Sequence, residues 1–238
     1  MADVLVLCYH SVSDTWPSEL AVSPQALRRQ LRSLLSRGYR GTTFLEAVRR
    51  PAAARTLAVT FDDGYRSVHD VALPILRELG LPGSLYVPTA FVDRDSPMSW
   101  PGIDSWVGGP HEHELHCADR AQLEQLAAEG WEIGAHTRTH PHLTQLDDAA
   151  LDDELSGARA DLERLLGRPC TSIAYPYGDV DARVIRAAAA AGYEAGATLP
   201  ERRHRADALA WPRIGVYPVD VPWRFRLKSA PLVRKLRR

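Results

Sequence analysis

The chain has 238 residues, 45% hydrophobic and 25% charged, with a net charge of −1, a balance typical of one soluble globular α/β domain and unlike that of a disordered chain. No basic stripe interleaved with aromatics runs through it, which excludes a nucleic-acid-binding surface. Three widely spaced cysteines, Cys8, Cys117 and Cys170, exclude a disulfide framework.

The N-terminus (MADVLVLCYH) holds a short apolar run behind an acidic residue, too short for a signal peptide or a membrane span. A cytoplasmic location is the expectation. The other end differs in charge. Residues 224–238 carry seven Arg or Lys and no acid, so the remainder carries −8. The reading is a domain over 1–223 and a basic tail over 224–238, the tail offering peripheral contact with a membrane.

Between these ends, short apolar runs alternate with segments of helical period. Strands are predicted at Val4–Tyr9, Thr56–Phe61, Ser84–Val87, Glu132–Ala135, Thr171–Ala174, Glu194–Thr198 and Arg213–Tyr217. Helices are predicted at Pro24–Arg37, Val68–Leu79, Ala121–Ala128, Asp147–Leu166 and Asp181–Ala191, each followed by a glycine suited to a left-handed cap. Seven strands alternating with helices predict a parallel sheet that closes, or nearly closes, into a barrel. The segment 93–117, rich in Pro, Gly, Trp and His, lacks a clear period and is expected at the barrel mouth.

Two strand ends carry chemistry. Thr56–Phe61 runs into Asp62-Asp63-Gly64, and adjacent side chains at a strand end diverge. One carboxylate is therefore free to hold a metal while its neighbour takes a proton. Glu132–Ala135 runs into His136-Thr137-Arg138-Thr139-His140, and two His four apart reach one ion from one face of a helical turn. A His2Asp set suits one divalent ion, zinc first, with cobalt, nickel, manganese or iron also acceptable.

The motifs TFDDG (60–64), HTRTHPHL (136–143) and YPYG (175–178) together resemble those of the polysaccharide deacetylases, the NodB-like group or carbohydrate esterase family 4. The resemblance covers most of the chain in the expected order. It implies a distorted (β/α)7 barrel, in a single domain, whose metal site hydrolyses acetamido groups on N-acetylated sugars. Carried over by position, Asp62 matches the general base, and Asp63, His136 and His140 match the metal ligands. The backbone N–H of Tyr177 matches the oxyanion donor, with Tyr175 and Pro176 beside it at the substrate.

Two departures stand out. Many members have an arginine three residues before the tyrosine of the third motif, where this chain has Ala174, so Arg213 is the candidate replacement. The usual C-terminal Leu-x-His acid is missing. Tyr9-His10 on the first strand resembles the subgroup acting on poly-N-acetylglucosamine, and His10 becomes the candidate acid. Trp100 and Trp106 are candidate sugar platforms. His142 is expected near the metal without binding it, and His111, His113 and His116 to lie in a solvated loop. Cys117 and Cys170 receive no nucleophilic role. The expected activity is metal-dependent N-deacetylation of a polysaccharide or of a nucleotide- or lipid-linked sugar. The alternatives are a deformylase or other amide hydrolase, or a glycan-binding barrel without catalysis.

Overall fold

A computed structural model describes residues 3–50, 54–199 and 207–233. Among them, eight parallel strands form the barrel: β1 (Asp3–Tyr9), β2 (Arg55–Phe61), β3 (Ser84–Val87), β4 (Glu132–Ala135), β5 (Ser172–Ala174), β6 (Ala195–Thr198), β7 (Trp211–Pro212) and β8 (Ile214–Gly215). Their order is β7-β6-β5-β4-β3-β2-β1-β8, and the short strand Arg40–Thr42 pairs with the start of β2. The two ends of that order meet around Arg213. Its N–H donates to the Thr198 carbonyl at 3.0 Å, while the Val216 N–H donates to the Cys8 carbonyl at 2.8 Å. β7 and β8 are thus two halves of one stave, and the sheet is a distorted, nearly closed barrel of seven staves with helices outside.

Successive side chains of a strand face opposite ways, and the two sets form separate cores. Leu5, Leu7, Leu57, Val59 and Phe61 join the large cluster under the helices. Val4, Val6, Ala58, Tyr86, Ala174 and Ala197 form the small second cluster, which fills the barrel interior, with Phe44 and Ala47 packed into it. Those two come from a short helix not expected from sequence, α2 (Phe44–Arg49). Gly134 leaves room for the Tyr86 ring, since a Cβ there would lie 2.5 Å from it. Small inward residues on β5 and β6 therefore let one tyrosine plug the lumen, so the interior is packed.

The outer helices follow amphipathic patterns. The first, α1 (Pro24–Leu35), starts at Ser23, whose side chain accepts from the Ala26 N–H, and it buries Leu27, Leu31 and Leu34. The predicted helix 68–79 is observed as a π-helical turn, Val68–Ala72, running into α3 (Leu73–Glu78). Pro74 explains the change, because its missing N–H and its ring disturb the ladder one turn earlier. The helix α4 (Arg120–Ala128) carries a capping box between Asp119 and Gln122. The predicted helix 147–166 is also interrupted by a π-helical turn at Asp153–Gly157.

The segment 93–117 folds over the barrel mouth through short 3₁₀ turns at Asp104–Trp106 and Glu112–Leu115, and it buries Met98, Trp100, Ile103 and Leu115. The boundary expected at 223/224 falls inside a helix, Pro222–Lys228. That helix is docked on the barrel. Phe225 is buried, and Lys228 Nζ donates to the Gly215 carbonyl at 2.8 Å and to Asp220 Oδ2 at 2.7 Å. The last five residues of the basic tail, 234–238, lie outside the described residues.

Candidate active site

The C-terminal ends of β1, β2, β4 and β5 surround a cavity of about 620 Å³ lined by His10, Asp62, Asp63, His136, His140 and Tyr177, among others. Parallel strands deliver these side chains to one end because every strand points the same way. The backbone there is strained. Of five non-glycine residues with positive φ among the described residues, four are Asp63 (66°), Thr137 (64°), His140 (64°) and Tyr177 (59°). Thr137 is β-branched, for which this conformation is costly, and such strain concentrates at functional sites.

That geometry corrects one expectation. Residues 136–140 form no helical turn; the chain bends, with left-handed residues at Thr137 and His140, and the bends turn both imidazoles toward Asp63. His136 Nε2 stands 3.2 Å and His140 Nε2 3.3 Å from Asp63 Oδ1. All three residues are buried, and Asp63 Oδ1 has no hydrogen-bond partner. The His136 Nδ1–H donates to the Ala174 carbonyl at 2.8 Å, which leaves Nε2 with its lone pair facing the carboxylate.

The electrostatics of this cluster favour a cation. Burial alone would raise the Asp63 carboxyl, yet the two imidazoles hold it well below the usual carboxylate range. Burial alone would push His136 down, yet Asp62 and Asp63 lift it above its ordinary value. His140, desolvated by burial, stays lowered. Two imidazole nitrogens and a carboxylate oxygen lie within 4.8 Å of one another around an orphaned acceptor, a donor set that suits one divalent cation.

Asp62 faces a different partner. Arg213 donates from Nη1 to Oδ1 at 2.7 Å and from Nη2 to Oδ2 at 2.6 Å, and both residues are buried. Burial would raise the Asp62 carboxyl, but Arg213 and then His136 outweigh it and hold it below its ordinary value. The guanidinium rests over the Tyr86 ring at 5.6 Å and also donates to Thr60 Oγ1 at 3.0 Å. The Cys8 thiol lies 3.3 Å from Asp62 Oδ2 as a further donor, a contact that sequence reading missed. Strand parity carried the signal, since Cys8 pairs in register with Thr60, two residues before Asp62. Cys8, His10 and Asp62 also cluster closely. Burial pushes that thiol well up and Arg213 already occupies both Asp62 oxygens, so the cluster is not a second cation cage.

The remaining candidates sort by burial. His10 lines the cavity, stacks on Tyr217 at 6.4 Å, and has an unpartnered Nδ1. Tyr177 is half-exposed; its ring stacks on His142 at 4.0 Å and meets His140 edge-on at 4.7 Å. His142 stands outside the cluster, 3.5 Å from Asp179. Trp106 remains partly exposed on the cavity wall. Trp100 lines the cavity too, but it is largely buried and lies flat on His140, with centroids 4.2 Å apart. Tyr175 and Pro176 are buried and do not line the cavity; the Tyr175 hydroxyl donates to the Leu209 carbonyl at 2.8 Å, so the pair shapes the loop that presents Tyr177. Cys117 and Cys170 are buried with thiols pushed up to about 12, and neither is poised as a nucleophile. His111, His113 and His116 join no metal-competent cluster among the described residues.

Sequence reading also missed Glu154. Its Oε2 accepts from the backbone N–H of Arg138 at 2.7 Å and of Thr139 at 2.9 Å, and its Oε1 accepts from the Thr139 hydroxyl. One buried carboxylate thus pins the strained loop between the two histidines.

Comparison with known proteins identifies the family and the fold. The family model described as polysaccharide deacetylase matches residues 49–196, more than half of the chain. YxkH of Bacillus subtilis, named as a polysaccharide deacetylase, is 25% identical over 83% of this chain and 64% of its own length. The poly-β-1,6-N-acetyl-D-glucosamine N-deacetylase of Staphylococcus epidermidis is 26% identical over 65% of this chain and 51% of its own. The chain thus spans about half to two thirds of these relatives. Among solved structures, the deacetylase PplD of Streptococcus pyogenes superposes with a TM-score of 0.78 at 21% identity, covering 97% of this chain and 99% of that one. IcaB of Ammonifex degensii superposes with a TM-score of 0.75 at 25% identity, covering 97% and 98%. The chain belongs to the polysaccharide deacetylase family.

Proposed function

We propose that the protein is a metal-dependent hydrolase that removes N-acetyl groups from an amino sugar, with Asp62 as general base. The observation that carries this reading is the pairing, on one cavity floor, of a cation cage with an ionised carboxylate held by Arg213. Asp63, His136 and His140 would hold one divalent ion, zinc first among several acceptable metals, and when bound it supplies Lewis acidity toward the acyl carbonyl.

The chain's own groups supply the rest. Asp62, kept ionised by Arg213, accepts the proton of the attacking water. The Tyr177 N–H donates to the carbonyl oxygen as charge builds there. His10, unpartnered at Nδ1 on the cavity wall, gives a proton to the departing amine. Trp106 and Tyr177 offer ring faces to the sugar. The likeness to the Staphylococcus epidermidis enzyme supports N-acetylglucosamine as the unit recognised, in a polymer or on a nucleotide or lipid carrier.

The test is acetate release from N-acetylated sugars presented free, polymeric, nucleotide-linked and lipid-linked, after chelation and again after metal is restored. Metal-dependent release from one class establishes the activity. Silence across the panel, from protein that binds the metal, would overturn it.

A further inference from the structure

The largest run of exposed apolar side chains among the described residues follows the closing stave: Val219 (58% exposed), Val221, Trp223 (70%), Leu227 and Leu232 (71%). Trp223 and Leu227 are four apart on the helix Pro222–Lys228 and share one face, while Phe225 anchors the opposite face in the core. Exposed Arg226 flanks the apolar pair, with exposed Arg224 beside it 3.6 Å from Asp220, and the stretch from 224 onward holds seven basic residues without an acid. Tryptophan and leucine beside arginine, on a helix too short and too polar to span, is the composition of a surface that sits at a lipid interface. No helix among the described residues is long and apolar enough to cross a membrane.

The patch is connected to the active site. A second hollow of about 600 Å³, lined by Trp16, Pro17, Ala21, Pro218 and Val219, shares Pro17, Ser18, Glu19 and Tyr217 with the catalytic cavity. Its wall is more apolar than that of the cavity and ends at Val219, where the exposed run begins.

We propose that residues 219–232 dock on an anionic lipid bilayer, and that the substrate is an N-acylated amino sugar carried on a lipid whose apolar part lies in the hollow between bilayer and cavity. Charge complementarity selects the bilayer: the basic stretch gains about fivefold in binding for each Lys or Arg at an anionic surface. The substrate half rests on the deacetylase reading; the docking half does not.

The test uses the full chain and vesicles of phosphatidylcholine with or without an equal share of phosphatidylglycerol. Wild type should sediment with the anionic vesicles and leave them as salt rises from about 0.1 M to about 0.5 M. Trp223→Ser with Leu227→Ser should weaken that binding more than about tenfold, and Arg226→Gln about fivefold. All three positions are exposed, and the circular dichroism and melting temperature of the variants should match wild type. Acetate release from a soluble N-acetylated sugar should be equal in wild type and the double serine variant. Release from a synthetic N-acetylglucosamine glycolipid in anionic vesicles should fall with the loss of binding. Equal vesicle binding by wild type and the double serine variant would overturn the docking. So would a wild-type dimer that ignores vesicles and becomes monomeric in that variant, since the patch would then be a self-interface. Docking with unchanged glycolipid turnover would overturn the substrate class, and silence toward every sugar in a chain that still docks would count against the deacetylase reading alone.

Discussion

Arg213 grips both oxygens of Asp62 from the stave that closes the barrel, bonding them at 2.7 and 2.6 Å although the two residues are 151 positions apart. The same residue interrupts that stave, with β7 pairing to β6 before it and β8 to β1 after it. Closure of the sheet and placement of the Asp62 carboxylate are therefore one event. A planar fork with fixed charge suits this better than a lysine, because it bonds both carboxylate oxygens at once.

Arg213→Met should destabilise the fold by about 3–5 kcal/mol, since it leaves a buried carboxylate unpaired. Pairing it with Asp62→Asn should restore much of that loss, because both charges are then gone. Urea denaturation of the wild type, the two single variants and the double variant measures the coupling. Additive losses would mean that the pair contributes nothing beyond its separate parts.

Asp62→Asn alone separates chemistry from metal binding. Asparagine keeps the shape and cannot take a proton, so kcat should fall by about 10²–10⁴ while one metal per chain is retained. Elemental analysis beside acetate release reads both quantities. Wild-type turnover in this variant would remove Asp62 from the base role.

The strand ends were legible because their signals are local: TFDDG and His-x-x-x-His sit where an apolar run stops, and parallel topology sends all such ends to one face. The family resemblance, with Ala174 standing where many members have an arginine, pointed to Arg213 as the replacement. What was not legible depends on contacts between distant segments or on backbone sign. A helical turn and a left-handed bend both allow a spacing of four, and only the fold shows that Thr137 and His140 adopt positive φ. Trp100 reads as a platform from its type, yet the loop folds it flat onto His140. The helix Phe44–Arg49 is too short to show a period, and its Phe44 packs into the barrel interior.

Glu132 gives a stability test away from the chemistry. Its carboxylate accepts from the Leu45 N–H at 2.8 Å and from the Ser84 and Ser172 hydroxyls. Desolvation nonetheless outweighs these bonds and raises the carboxyl above its ordinary value. A folded pKa above the unfolded one means that this group's stabilisation is complete below the unfolded pKa, about 4.3, and is lost as pH rises through the folded value. Wild type measured against Glu132→Gln should therefore lose relative stability between about pH 4 and pH 7. Urea midpoints at the two pH values check the sign, and a difference that moved the other way would show the ionised form to be the favoured one.

Glu154 pins the loop in which Thr137 and His140 adopt positive φ. It is buried, it accepts from two successive backbone N–H groups and a hydroxyl, and the residues it holds lie between His136 and His140. Glu154→Ala would leave Arg138 and Thr139 N–H groups without acceptors, and the bend would relax toward ordinary φ values. The imidazole nitrogens would then no longer converge on Asp63. Metal affinity should fall by about 10–100-fold, as it does when outer partners of ligands are removed, whereas His140→Ala should abolish stoichiometric binding. Glu154→Gln keeps one carbonyl acceptor and should lie between wild type and alanine. Competition for zinc against a chromogenic chelator ranks the four proteins; equal affinity in wild type and Glu154→Ala would show that the loop keeps its shape without that carboxylate.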